Sequence, residues 1–124
     1  MEKNIRDKFN DKNINETHPL SGIGKLIRYK ACDSKLEIKW GSLNFKLPYE
    51  IIEDILNNFF KDETEWYPLG ASVTEPTLGG LGEYIRDNHG SFTPRHASVI
   101  ASILVDNKLV EFKGRKPIMI KKIL

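Results

Sequence analysis

The sequence predicts an α+β domain: a three-strand antiparallel meander plus a helix, packed with a unit of two short helices and a basic hairpin. Three observations carry that prediction. Apolar and polar residues alternate through residues 26–47, apolar residues recur at helical spacing within 51–60, 81–85 and 97–104, and turn-forming residues separate these stretches.

Residues 1–20 are mostly polar, with Ile5, Phe9 and Ile14 as isolated large apolar residues before Pro19, and read as a flexible N-terminal arm; residues 21–124 read as one domain. The strands begin after Gly24. Ile27, Tyr29 and Ala31 alternate with Leu26, Arg28 and Lys30, Cys32-Asp33-Ser34 turns the chain, and Leu36, Ile38 and Trp40 alternate with Lys35, Glu37 and Lys39. Gly41-Ser42 turns it again into Leu43, Phe45 and Leu47, which completes a meander with one apolar face. Such a face needs a cover. Pro48 opens a helix, where proline's missing N–H is harmless, and Ile51, Ile52, Ile55, Leu56, Phe59 and Phe60 give that helix a broad apolar stripe. It is expected either to lie across the sheet or to begin the C-terminal unit.

The stretch from Asp62 to Thr77 reads as a long loop. Its Trp66, Tyr67 and Leu69 are either anchors for a protein partner or pins that hold the loop to the core. Gly79-Gly80-Leu81-Gly82 has the glycine content of an anion-binding turn at a helix start. It lacks the Lys and Ser/Thr of a phosphate loop, however, and Glu75 and Glu83 would repel a phosphate.

In residues 78–124, Leu81, Tyr84 and Ile85 mark a short helix face that stops at His89-Gly90. Thr93-Pro94 starts a second helix, with Ala97, Ile100, Ala101 and Leu104 inward and Asp106-Asn107 at its end. Two runs of β-formers, Leu109 to Phe112 and Ile118 to Ile120, then flank Lys113-Gly114-Arg115-Lys116-Pro117. In this order the segment resembles the winged helix-turn-helix superfamily, with GEYIRDN as the support helix, TPRHASVIASILVDN as the recognition-like helix and KGRK as the wing tip. The resemblance implies that the start of the second helix enters the major groove of duplex DNA while the wing touches phosphate or the minor groove. On this chain it points to Thr93, Arg95, His96, Ser98 and Val99 in the helix and to Lys113, Arg115 and Lys116 in the wing. Arg95 carries paired donors for a guanine edge, whereas the lysines supply charge.

Charge is distributed to match. The chain has a net charge of only +2, but from Arg95 to Leu124 seven Lys or Arg stand against two acids, and from Cys32 to Pro94 five basic residues stand against eleven acidic ones. A nucleic acid is therefore expected to meet the C-terminal end and to avoid the middle. The single cysteine, Cys32, excludes an internal disulfide and a cysteine-based zinc site. No stretch reaches the roughly 20 apolar residues that span a bilayer, and the polar start lacks the apolar core of a secretory signal, which points to a cytoplasmic protein with no membrane contact.

Catalytic readings are weak. Glu37-Ile38-Lys39 shortly after Asp33 is similar to the acid-x-Lys signature of restriction-type nucleases, in which carboxylates hold Mg²⁺ and lysine steadies the attacking water. Asp33 falls in the turn just before, though, and alternating Glu and Lys is also what a solvated strand face looks like. His18, His89 and His96 form no local metal pattern, and Cys32 has no activating neighbour in sequence. The expectation is no catalytic residue, metal or cofactor, and non-catalytic binding of duplex DNA in transcriptional regulation or DNA handling. The alternative is a protein-interaction module or inhibitor docking through its acidic middle and aromatic loop, with a homodimer left open.

Overall fold

The computed structural model describes Phe9 and residues 14–22, 24–72 and 74–123. Within them the alternation of the first half produces a four-stranded antiparallel sheet of order β1-β2-β3-β4, with β1 at Asn15–Thr17, β2 at Ile27–Ala31, β3 at Lys35–Trp40 and β4 at Leu43–Pro48. Period two sorts the side chains. Ile27, Tyr29, Ala31, Leu36, Ile38 and Leu47 are buried on the inner face, and Arg28, Lys30, Glu37, Lys39, Asn44 and Lys46 are exposed on the other. Each large apolar side chain so buried contributes about 1.5–3 kcal/mol. The expected meander is β2-β3-β4. The expected arm needs correction in part: Asn15–Thr17 pair with β2 as an edge strand, and Phe9 is buried with its ring stacked 5.9 Å from Tyr49. The rest of that expectation, at residues 1–8 and 10–13, lies outside the described residues.

Helix α1, Tyr49–Asp54, follows directly and widens into a π-helical turn over Ile55–Phe59, closed by Phe60 N–H donating to the Ile55 carbonyl at 3.1 Å. It touches both halves of the molecule. At its start the Tyr49 hydroxyl donates to the Cys32 carbonyl at 2.6 Å, under the sheet; at its end the Phe59 ring lies 5.1 Å from Tyr67 and 5.3 Å from Tyr84 of the C-terminal unit.

That unit holds α2 (Leu81–Asn88), α3 (His96–Asp106) and a second sheet of order β5-β7-β6, formed by β5 (Tyr67–Pro68), β6 (Val110–Lys113) and β7 (Met119–Lys122). Strand β5 has two residues, too few for a period to be read from sequence. A Cβ on Gly82 would fall 2.1 Å from the Gly70 carbonyl oxygen, so α2 reaches the loop after β5 only because residue 82 has no side chain. The Gly82 N–H then donates to the Leu69 carbonyl at 3.0 Å.

Helix α3 is apolar nearly all round and is buried accordingly: Ala97, Val99, Ile100, Ala101, Ser102, Ile103 and Leu104 are shielded from solvent. It touches α2 and β6 on the C-terminal side and β1 on the other. The sheet also reaches it through the Phe45 ring, 4.7 Å from His96, and through Tyr29, which hydrogen-bonds Asp106 and accepts from Asn107 Nδ2 at 2.9 Å. One core therefore serves both halves, with α3 as the shared wall. The described residues form seven strands in two antiparallel sheets and three helices, an α+β fold, and among them no helix is long and apolar enough to cross a membrane.

Candidate nucleic-acid interface

The basic hairpin is the most prominent of the expected site elements. Strands β6 and β7 pair from Val110↔Lys122 to Lys113↔Met119, and Lys113, Gly114, Arg115 and Lys116 are all exposed beyond them. Gly114 has φ +78°, and a Cβ there would meet the Pro117 carbonyl oxygen at 2.6 Å, so the turn requires glycine. The Lys113 ammonium lies 4.3 Å from the centroid of the Trp66 ring, and that of Lys121 lies 5.6 Å away. Such a cation–π contact is worth about 0.5–1 kcal/mol at an exposed site. It fixes the base of the hairpin, while Arg115 and Lys116 occupy the tip.

At the start of α3 the expected residues divide. Thr93 and Arg95 are exposed. His96 is half-buried between the rings of Phe45 and Phe92, the latter at 5.1 Å, and its Nδ1 accepts from the Thr93 N–H at 3.0 Å. Burial pushes its pKa below the ordinary histidine value, and the charge of Arg95 adds to the shift, so the ring is neutral at pH 7. Ser98 is half-buried, and its carbonyl accepts the Ser102 hydroxyl at 3.0 Å. Val99 is fully buried and offers no surface to a groove, which corrects the expectation for that residue. Sequence periodicity identified one inward stripe on this helix; Val99, Ser102 and Ile103 lie off that stripe and are buried too, in a helix that packs against α2, β6 and β1.

The aromatic loop is pinned to the body. Trp66 is half-buried beside the two lysines, and Tyr67 packs against Phe59 and against Phe60 at 5.6 Å while its hydroxyl accepts from the Asp62 N–H at 3.0 Å. Leu69 is buried, so as an anchor for an outside partner it is corrected as well.

Three further sequence features have structural explanations. The Glu83 carboxylate accepts the Gly79 N–H at 3.0 Å, so the helix's own side chain fills the anion position at the start of α2. Glu37 and Lys39 lie exposed on the outer sheet face, and Asp33 is exposed in the turn before them. His89, expected as a turn residue, caps α2 through its backbone, and its Nε2 lies 2.7 Å from Asp54 Oδ2. Asp54 also accepts from the Tyr84 hydroxyl at 2.8 Å and from Asn58 Nδ2 at 2.7 Å. Burial alone would raise the Asp54 pKa, but these three partners hold it below the ordinary carboxylate value, while burial and Asp54 push Tyr84 up to about 12. The cluster ties α1 to α2 across 30 and 35 residues of sequence, and no local spacing announces it. Among the described residues no group of three or more His, Cys, Asp or Glu side chains is placed to hold a metal ion.

Sequence reasoning missed one surface altogether. The outer face of the first sheet forms an open groove of about 710 Å³ lined by Arg28, Lys30, Glu37, Lys39, Asn44 and Lys46, with the exposed Ile14 at its edge. Arg28 stands directly opposite Lys39, which in turn faces Asn44, and Glu37 lies between Lys30 and Lys46. Arg28 Nε also donates to Glu16 at 2.8 Å. The signal was present in the strand parity of Arg28, Lys30, Lys39 and Lys46, but block counting of charge concealed it.

Comparison with known proteins gives no matching family model, and no significant match among curated proteins or solved structures.

Proposed function

We propose that this chain binds duplex DNA and performs no chemistry of its own. The observation that carries the reading is the hairpin, where Arg115 and Lys116 are exposed on the turn and Lys113, exposed at the end of β6, lies against Trp66. Two helices precede that hairpin, α2 and α3, in the order on which the winged helix-turn-helix resemblance rests. The body of α3 is covered, so contact falls to its approach, Thr93 and Arg95, and to the wing. Arg95 would read a base edge, and the wing cations would neutralise phosphates.

Arg95→Ala is expected to weaken a preferred duplex by about 1–3 kcal/mol and to relax the choice of sequence, whereas Lys113→Ala and Lys116→Ala weaken all duplexes alike and each lower the salt slope by about one. A fluorescence-anisotropy titration over a range of salt checks both. Affinities unchanged in all three variants would overturn the assignment.

A further inference from the structure

In a domain of two helices and a wing, DNA would approach on the side where the second helix presents its outer face. Here that side carries the four-stranded sheet instead, with its apolar face turned towards α3 and its charged face turned away. From this arrangement we propose that the outer face of the sheet is a second contact surface for the phosphate backbone of duplex DNA, centred on the row Arg28–Lys39–Asn44. The inference rests on the DNA-binding reading and deepens it.

Three features of the face support that occupant. Arg28 and Lys39 are a directly opposed cross-strand pair, which brings their Cβ atoms to about 5 Å, and Glu16, opposite Arg28 on β1, offsets part of that like-charge contact by accepting from Arg28 Nε at 2.8 Å. A phosphate on this row would meet the terminal guanidinium N–H groups that Glu16 leaves, the Lys39 ammonium as a point charge, and the Asn44 amide as a neutral donor from the next strand. Lysines on strands often guard exposed edges, but Arg28 and Lys39 lie on β2 and β3 where each strand is paired on both sides. The groove is open along the sheet, and the outer face carries four cations, Arg28, Lys30, Lys39 and Lys46, against two acids, Glu16 and Glu37. Such a surface suits an extended polyanion.

The test uses the full chain and a short mixed-sequence duplex titrated over a range of salt. Arg28→Gln with Lys39→Gln is expected to lower affinity at low salt by at least about tenfold and to reduce the salt slope by about two. Glu37→Gln should tighten binding several-fold, a gain that a damaged fold does not produce, and the melting temperature of Lys39→Gln should equal or exceed that of the parent. A companion variant, Lys113→Gln, Arg115→Gln and Lys116→Gln together, separates the two readings. Loss in the wing variant alone overturns the sheet proposal and leaves the wing assignment standing, and loss in the sheet variant alone does the reverse. Parent-like affinity in both overturns both. Retention of an acidic polyglutamate peptide with no retention of duplex also overturns the proposal, in favour of a protein partner.

Discussion

The two sheets display their cations in different ways. On β2, β3 and β4 the cations alternate with buried residues, so Arg28, Lys30, Lys39 and Lys46 gather on one face only because the strands are paired in register. On the hairpin β6–β7 they cluster at the turn, where Lys113, Arg115 and Lys116 reach solvent without any sorting. Charge counted along the chain therefore registers the second arrangement and misses the first. The acidic block from Cys32 to Pro94 contains Lys39 and Lys46, but many of its acids, among them Glu50, Glu53, Glu63 and Glu65, lie on α1 and the loop that follows.

The largest expected effect tests whether the two regions share one core. Ile100→Ala on α3 should cost about 2–5 kcal/mol. The chain has two tryptophans, Trp40 in β3 and Trp66 beside the wing, so single-tryptophan variants report each region separately. Coincident denaturant transitions at both probes are expected, whereas two separated transitions would mean that the sheets belong to independent units. A smaller loss, about 1–3 kcal/mol, is expected for Asp54→Asn, which weakens the tie between α1 and α2 and leaves its donors poorly matched. Thermal unfolding monitored by circular dichroism measures it.

Lysine removal should then act with opposite sign in the two sheets. Lys113→Ala gives up its contact with Trp66 and about 0.5–1 kcal/mol. Lys39→Gln removes a like charge opposite Arg28, whose charge Glu16 partly offsets, and should be neutral or stabilising by a few tenths of a kcal/mol. Equal losses would show that the opposed pair carries no strain. The last expectation concerns pH. Because the folded pKa of His96 is depressed, the stability associated with its neutral ring is present above the unfolded value of about 6.5 and is lost as pH falls through the folded value. Melting temperatures should decline on acidification below about pH 6.5, and His96→Phe should flatten that decline.

Local patterns were readable in the sequence, and tertiary covers were not. Alternation gave β2, β3 and β4, the apolar stripe after Pro48 gave α1, and Gly114 gave the hairpin turn, whereas α3 begins at His96, after the Thr93-Pro94 signal, with no side-chain cap. Strand β1 escaped notice because Asn15, Glu16 and Thr17 have no apolar alternation; its pairing is conferred by β2. Strand β5 is defined by β7 in the same way. The clearest functional consequence concerns Val99, whose position at the start of a recognition-like helix suggested a groove contact. Its burial comes from tertiary packing that helical spacing alone does not encode.

The central claim is tested most directly by titrating the purified protein against a pool of short duplex DNA at two salt concentrations. Retention at low salt that weakens steeply as salt rises, with particular sequences enriched, is the expected result. No retention at low salt would contradict it and leave the exposed cations of both sheets as solvated charge.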